Sequence, residues 1–149
     1  MQIRKASMED LESVAELFNA YRIWYKKAGD LAQARQFLGD RLKNEESHIF
    51  LGIEENGNHV AFTQLYPLYS STRMKRLWLL NDLYVDPTQR GQGYGIALVK
   101  KAQAFTKDTD AAGLILETQK ENIVGNKLYP KMGFILDPHN HYYWDNPSH

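Results

Sequence analysis

Three glycines at alternate positions form a candidate anion site in the middle of this sequence. Gly91, Gly93 and Gly95 follow Arg90, and they lie between a β-prone apolar run at residues 78–85 and an apolar pattern of helical period. The layout predicts a strand, a glycine loop and a helix. Backbone N–H groups in the first turn of a helix have no internal partner, and glycine lets the backbone approach a ligand closely. The segment therefore predicts a site for an anion, typically a phosphate.

Three other interpretations of the glycine loop exist. A Walker phosphate loop ends in Gly-Lys-Ser/Thr, whereas Gly95 is followed by apolar residues, which excludes that motif. A dinucleotide fingerprint that begins at Gly91 needs a third glycine where Ile96 stands, although Glu117 lies near the spacing of a ribose-binding acid. A turn without a ligand is the third alternative, but so many glycines cost conformational entropy that packing alone does not explain.

Two segments resemble the motifs of a known family. Arg90-Gly91-Gln92-Gly93-Tyr94-Gly95, preceded by Asp82-Leu83-Tyr84-Val85-Asp86-Pro87, is similar to the acetyl-CoA motif of the GCN5-related N-acetyltransferases, Arg/Gln-x-x-Gly-x-Gly/Ala. Asn122-Ile123-Val124-Gly125-Asn126-Lys127-Leu128-Tyr129-Pro130-Lys131-Met132-Gly133-Phe134 resembles that family's Asn-x-x-Ala-x-x-Leu-Tyr-x-x-x-Gly-Phe segment. Because both motifs occur in the family's order and separation, the sequence is identified as a member of this family, abbreviated GNAT.

The resemblance implies that acetyl-CoA is the co-substrate and indicates how it is held. Residues 83–85 would pair with the pantetheine amides like an added strand, and a backbone N–H around Leu83 would hold the carbonyl oxygen. The glycine loop would bind the pyrophosphate, and Asn122 would help to hold the pantetheine. The residues implied in cofactor binding are Leu83, Tyr84, Val85, Arg90, Gly91, Gln92, Gly93, Tyr94, Gly95, Ile96 and Asn122.

The acetylation of an amine requires a proton acceptor, because an alkyl ammonium with a pKa near ~10.4 cannot attack a thioester. Asn81 and Asp82 interrupt an otherwise apolar strand, where a carboxylate is either structural or a positioned base. The polyamine acetyltransferases, which residues 81–96 resemble, have a glutamate implicated as the base at the position of Asn81, and asparagine cannot take a proton. Either Asp82 accepts it, directly or through water, or the amine arrives partly deprotonated. A purely structural Asp82 is an equal alternative.

Two further features concern the catalytic residues. Asn81 and Asp82 can face one side of the sheet only at a β-bulge, because successive strand side chains point to opposite faces. The family has a bulge in this region. Tyr129 matches the family's general acid for the departing thiolate, although its phenol, with an ordinary pKa near ~10, would donate only transiently or through strong hydrogen bonding. A packed Tyr129 without a catalytic role is the alternative.

The composition excludes several classes of function. Eighteen basic and eighteen acidic side chains give no net charge, so neither nucleic acid nor membrane is expected as a partner. No apolar stretch approaches the ~20 residues of a membrane span and no signal-peptide core is present, which predicts a cytoplasmic protein. The absence of cysteine excludes a cysteine acyl-enzyme and favours direct transfer. His139 and His141 lack a third ligand at metal spacing, so no metal is expected.

The remaining pattern predicts a single α/β domain over residues 1–149. The expected fold is GNAT-like, with a mixed, mostly antiparallel central sheet, about four flanking helices and acetyl-CoA in a splay between central strands. Residues 114–117 are expected to form a strand buried on both faces, and residues 134–136 and 141–144 to form the last strands. Residues 69–76 are expected to be a polar loop.

The acceptor is expected to be the primary amine of a small molecule. Residues 80–86 and the aromatic first helix look most like family members that act on polyamines, small amines or lysine-like groups. A protein-lysine acetyltransferase and a non-catalytic acyl-CoA sensor are the alternatives, and the sensor would not need Tyr129. Aminoglycoside acetylation would favour an acidic cleft. Aromatic residues 142–144 leave room for a homodimer interface.

Overall fold

The sheet is built mainly from antiparallel neighbours. The computed structural model describes all 149 residues, which form two compact units, residues 1–117 and 118–149. The five strands, in their order across the sheet, are Gln2–Lys5 (β1), His48–Ile53 (β2), His59–Ser70 (β3), Lys75–Val85 (β4) and Gly113–Leu116 (β5). Only β5 runs parallel to its neighbour. The predicted mixed, mostly antiparallel α/β fold is confirmed, whereas a single domain stays a prediction.

Three helices of the first unit cover the two faces of the sheet. The helices of the chain are Leu11–Trp24 (α1), Leu31–Lys43 (α2), Tyr94–Asp108 (α3) and, in the second unit, Ile123–Lys131 (α4). Ile49 and Leu51 of β2 join the core formed with α1 and α2, whereas Phe50 between them packs on Phe105 of α3 with 5.4 Å between ring centroids. This alternation follows from the two-residue period of a strand. No helix has both the length and the apolar character needed to cross a membrane.

The predicted loop at residues 69–76 is shorter in the structure, because β3 and β4 form a long hairpin and leave only a turn at residues 71–74. Ser70 pairs with Lys75, and Tyr69 pairs with Arg76. The Arg76 guanidinium lies 5.4 Å from the ring centroid of Tyr69 on β3 and 5.2 Å from that of Trp78 on β4, so one contact across the hairpin and one along β4 stabilise this end. The sequence did not predict that the two strands extend to Ser70 and from Lys75, because this end of the hairpin is largely exposed and lacks apolar alternation.

The predictions for the later strands need correction. The residues of β5 are each half-buried rather than buried on both faces, since β5 lies at the edge of the sheet and lacks a neighbour on one side. Residues 134–149 contain no strand, so the strands predicted at residues 134–136 and 141–144 are wrong. Both segments are apolar and β-prone, but a strand also needs a pairing partner, which local sequence does not specify. Their large exposed side chains are Ile135, Leu136, Tyr142, Tyr143 and Trp144.

An ion pair between β1 and the start of α1 makes the stability of the fold depend on pH. The Arg4 guanidinium donates to both Asp10 oxygens over 2.8 and 2.9 Å, and the Ser7 backbone N–H donates to the same carboxylate over 2.8 Å. Chiefly through the bond from Arg4, these donors lower the pKa of Asp10 to about 2. The carboxylate therefore stabilises the fold above its unfolded pKa, and this contribution is lost as pH falls from about 4 towards 2.

We expect Asp10→Asn to lower the free energy of unfolding at neutral pH by about 1–2 kcal/mol, since partial exposure of Arg4 screens the pair. The variant should also lose less stability than the wild type between pH 4 and pH 2, which urea unfolding at several pH values measures. Glu12→Gln removes an exposed ion pair with Arg35 and is the matched control, expected to change stability much less than Asp10→Asn does. Equal acid sensitivity of Asp10→Asn and the wild type would contradict this prediction.

Candidate active site

A β-bulge in the middle of β4 brings Asn81 and Asp82 together. The pairing of β3 with β4 skips one residue between Leu80 and Asp82, so Asn81 has no partner on β3. The extra residue interrupts the alternation of side chains, and the Asn81 amide donates to the Asp82 carboxylate over 3.2 Å. The predicted bulge is therefore present, and it allows both side chains to meet on one face. Asp82 is only 5% exposed, whereas Asn81 is exposed.

The Asp82 carboxylate is held by several hydrogen-bond donors. The Gln64 side-chain amide donates to it over 2.8 Å, and the Tyr21 hydroxyl also hydrogen-bonds to it. The Ser47 hydroxyl in turn donates to the Gln64 amide oxygen over 2.7 Å. Thr63 donates to the backbone carbonyl of Asp82 over 2.8 Å. A buried carboxylate needs such donors, because an unpaired charge in this position would be costly.

Two phenols near Asp82 keep their protons at physiological pH. Burial, and then the charge and hydrogen bond of Asp82, raise the pKa of Tyr21 well above its usual range. Burial and the charge of Asp82 also raise the pKa of Tyr66 to about 12. Neither phenol can act as a base near neutral pH, because each one is protonated there.

Beyond the bulge, one edge of β4 has no neighbouring strand. Pairing with β5 ends at Leu80, opposite Leu116, so residues 81–85 pair with β3 alone. Free backbone groups along such an edge can bind an extended ligand by strand addition. The predicted cofactor-binding residues on this open edge are Leu83, Tyr84 and Val85.

The glycine loop has the geometry of a phosphate site at the beginning of α3. Gly91 and Gly93 have φ values of +80° and +90°, and Gly93 caps the helix. The Ala97 N–H makes a helical bond to the Gly93 carbonyl over 3.0 Å, and the amides of residues 94–96 precede this first bond. A Cβ at Gly91 or Gly95 would meet no atom within 4 Å, so these glycines border open space. The loop therefore fits a phosphate group of acetyl-CoA.

Arg90 is partly engaged within the protein. Its Nε donates to the Val85 carbonyl over 3.0 Å, and its guanidinium lies 4.0 Å from the ring centroid of Trp24, the last residue of α1. It is also 5.9 Å from the ring centroid of Tyr84. Because arginine has five N–H donors, this arrangement leaves donors for a phosphate while fixing the orientation of the side chain. The other predicted cofactor-binding residues of the loop are Gln92, Tyr94 and Ile96. The Tyr94 side chain is buried next to Gly52 of β2.

Asn122 and Tyr129 lie in the second unit, residues 118–149. The Asn122 side chain caps α4 by accepting from the Gly125 N–H over 3.1 Å, and it donates to Thr118 over 2.8 Å. A Cβ at Gly125 would lie 2.5 Å from the Asn122 amide nitrogen, so the capping side chain lies very close to this glycine. Tyr129 packs edge-on against Phe134 at 5.8 Å between ring centroids. The structure gives Asn122 a capping role, and its cofactor role and the acid role of Tyr129 stay predictions.

Two cavities lie beside α1. One of about 180 Å³ is lined by residues of α1 and α2, and one of about 680 Å³ is bordered by α1, the turn between β2 and β3 and the end of β4. Neither cavity is lined by Asn81 or Asp82. The predicted catalytic residues of the first unit are therefore grouped by the bulge and by hydrogen bonds rather than by either cavity.

The histidines near the C-terminus contact one carboxylate. His139 Nδ1 lies 2.8 Å from one Asp137 oxygen, and His141 Nε2 lies 3.6 Å from the other. The structure contains no group of three or more His, Cys, Asp or Glu side chains placed to hold a metal ion.

Sequence reasoning missed four residues around Asp82, namely Ser47, Gln64, Tyr21 and Tyr66. Gln64 carried a usable signal, because it is a polar residue in an apolar strand, as Asp82 is. The other residues carried none, since their proximity depends on strand register and on helix packing. The bulge determines which residue of β3 faces Asp82.

Gly93 provides a direct test of the phosphate site. We expect Gly93→Ala to weaken acetyl-CoA binding by about 10-fold or more, because an alanine at a φ of +90° is strained and displaces the loop. Isothermal titration calorimetry measures this affinity. Gly57→Ala, at a φ of +92° in the turn between β2 and β3, imposes the same strain elsewhere and should leave acetyl-CoA affinity unchanged. Equal affinities of Gly93→Ala and the wild type would exclude the loop as the phosphate site.

Comparisons with known proteins agree on one family. Residues 11–134 match the model of the Acetyltransferase (GNAT) family. The uncharacterized N-acetyltransferase YhfO of Bacillus subtilis (strain 168) is 43% identical over 137 residues, which cover 92% of this chain and 91% of that protein. The aminoglycoside N(6')-acetyltransferase type 1 of Stenotrophomonas maltophilia is 26% identical over 135 residues, covering 89% of this chain and 84% of that protein.

A solved structure extends the similarity from sequence to fold. The crystal structure of a probable acetyltransferase superposes with a TM-score of 0.93 at 34% sequence identity, and the match covers 98% of each chain. The bulged strand and the glycine loop thus belong to a fold that is shared along almost the whole chain. The protein belongs to the GNAT family and is an acetyl-CoA-dependent N-acetyltransferase.

Proposed function

We propose that this enzyme transfers an acetyl group directly from acetyl-CoA to the primary amine of a small molecule, such as a polyamine or another small or lysine-like amine. The observation that carries the proposal is the buried Asp82 at the bulge, beside the exposed Asn81. A fixed carboxylate among neutral amides and phenols attracts an ammonium group and can accept its proton. The aminoglycoside acetyltransferase among the relatives supports a small-molecule amine as the substrate class.

The proposed mechanism assigns one task to each group. Acetyl-CoA, when bound, supplies the acetyl thioester. Asp82 takes the ammonium proton, directly or through water, because Asn81 cannot accept one. The backbone N–H of Leu83 is the proposed donor to the carbonyl oxygen, where negative charge develops. The C–N bond forms as the C–S bond breaks, and Tyr129 is the proposed proton donor to the departing thiolate. The second proton that the nitrogen loses on forming the amide restores the phenol.

The same proposal assigns residues to the two ends of acetyl-CoA. The amides of residues 91–96 and the remaining donors of Arg90 hold the pyrophosphate, because they combine a helix N-terminus, open space and a cation. The open edge at residues 83–85 and Asn122 hold the pantetheine. Direct transfer needs no covalent enzyme intermediate, and the chain has no cysteine to form a thioester.

We also propose that the enzyme is a single-domain homodimer in the cytoplasm. The exposed aromatic residues Tyr142, Tyr143 and Trp144 support the dimer, because large exposed apolar side chains favour an interface. Sedimentation of the wild type and of Trp144→Asp tests this. A monomeric wild type, or a variant that is as dimeric as the wild type, would argue against an interface at these residues.

The acceptor class is tested by measuring CoA thiol release against polyamines, diamines, amino acids, aminoglycosides and lysine peptides. Acetyl-CoA binding is measured on the same sample. We expect binding together with turnover of one class of small primary amine. Turnover of lysine peptides alone would identify a protein-lysine acetyltransferase, and tight binding without turnover of any amine would identify an acyl-CoA sensor.

A further inference from the structure

We infer that Ser47 and Gln64 form a positioning pair that orients the Asp82 carboxylate for the incoming amine. The inference rests on the proposed function, in which Asp82 meets the acceptor. Neither residue belongs to the motifs of the glycine loop or of α4. Both act through Asp82 rather than on the substrate.

The hydrogen bonds from Ser47 through Gln64 to Asp82 run in one direction. Gln64 accepts from the Ser47 hydroxyl at Oε1 over 2.7 Å and donates from Nε2 to Asp82 Oδ2 over 2.8 Å. An amide has a donor end and an acceptor end, so the bond at one end determines which group the other end presents. The Asp82 carboxylate only accepts, so it selects the donor end of Gln64, and the Ser47 hydroxyl fixes the amide in that position by donating to the other end. With the amide turned over, two oxygens would face each other.

Register and burial make this pair part of the bulge. Gln64 is the residue of β3 that pairs with Asp82, and the register shift follows immediately at Leu65. Ser47 directly precedes β2 and lies two residues before Ile49, which pairs with Gln64, so its hydroxyl reaches Gln64 diagonally across the two strands. Gln64 is fully buried and Ser47 nearly so, and polar groups in such a place are costly unless every partner is satisfied. Together, Ser47 and Gln64 hold the Oδ2 oxygen of Asp82.

The two Asp82 oxygens have different surroundings. Gln64 holds Oδ2, whereas Oδ1 receives the longer 3.2 Å bond from the exposed Asn81. The titratable groups that face this carboxylate are the neutral phenols of Tyr21 on α1 and Tyr66 on β3. Tyr66 is in turn influenced by Arg41 and Glu46, which oppose each other in their effect on its pKa. Fixing Oδ2 therefore orients the carboxylate with Oδ1 beside the exposed Asn81, where the amine would approach.

The test compares Ser47→Ala with Ser47→Thr, which keeps the hydroxyl, and with Gln64→Leu. The pH profile of kcat/KM for the amine and the melting temperature are measured for each. Ser47→Ala should lower kcat/KM by about 3- to 10-fold and move the acid limb to higher pH, because the ionised carboxylate loses a fixed donor. Ser47→Thr should keep both kcat/KM and the acid limb close to those of the wild type, because it retains the hydroxyl. Gln64→Leu should act in the same direction with a loss of about 10- to 100-fold.

A matched control separates positioning from stability. Thr63→Val removes a buried hydroxyl that donates to the backbone carbonyl of Asp82, so it should lower the melting temperature and leave the acid limb in place. If Gln64→Leu does not fold, the two Ser47 variants carry the test. A wild-type acid limb in Ser47→Ala, while Asp82→Asn is impaired, would overturn the positioning pair alone. An Asp82→Asn variant with wild-type rate and profile would overturn the proposed function as well.

Discussion

Asp82→Asn is expected to lower kcat/KM for the amine by about 100- to 1,000-fold at neutral pH. Asparagine nearly preserves the shape of the buried side chain but removes both the charge that attracts an ammonium group and the proton acceptor. The remaining activity should rise steadily with pH, because only an amine that is already deprotonated can react and its pKa lies near ~10.4. Steady-state kinetics between mildly acidic and alkaline pH measure this shift. Acetyl-CoA affinity should stay within about twofold of the wild type.

Asp86→Asn is the matched control for this experiment. Asp86 is a carboxylate at the end of the same strand, where it accepts from the Thr88 N–H over 2.8 Å and from its hydroxyl over 2.7 Å. The same chemical change at Asp86 should not alter the pH profile of kcat/KM. A folded Asp82→Asn enzyme with an unshifted profile would remove Asp82 as the base.

Tyr129→Phe is expected to lower kcat by about 10- to 100-fold, with the KM for acetyl-CoA within about twofold of the wild type. Removal of the hydroxyl leaves the departing thiolate without its proton donor, whereas the ring keeps its packing against Phe134. The split between kcat and KM follows because the phenol acts on the leaving group rather than on binding. Steady-state kinetics with acetyl-CoA varied at saturating amine measure it.

Tyr142→Phe is the control for Tyr129→Phe. Tyr142 lies in the same unit, and Tyr142→Phe keeps the ring that the proposed dimer interface uses, so loss of its hydroxyl alone should not change kcat. If Tyr129→Phe also retains kcat within about twofold, Tyr129 is a packed side chain without a catalytic role.

The central part of the fold could be predicted because several local signals agree there. The apolar run of β4, the glycines and the periodic apolar residues of α3 each specify one element, and together they specify the order strand, loop, helix. Asn81 and Asp82 were found because polar residues are rare in a buried strand. Their meeting at a bulge followed only from the family resemblance, because the residues themselves do not show a bulge.

The surroundings of Asp82 could not be predicted from sequence. Gln64 faces Asp82 only because the bulge skips Asn81, and Ser47 reaches Gln64 only through the pairing of β2 with β3. Register of this kind depends on the whole sheet rather than on any local pattern. The strands predicted at residues 134–136 and 141–144 were wrong for the same reason. Both segments have the composition of strands, but pairing within a sheet is not specified locally, and no strand forms there.

The central claim is that a small primary amine is the acceptor. The most direct measurement is the ratio of kcat/KM for the best small amine of the panel to kcat/KM for a lysine within a peptide, with one enzyme preparation and saturating acetyl-CoA. We predict a ratio of at least about 10 in favour of the small amine, since discrimination of that size corresponds to about 1.4 kcal/mol of transition-state binding. A ratio in favour of the peptide lysine would contradict the proposed function and identify a protein as the acceptor.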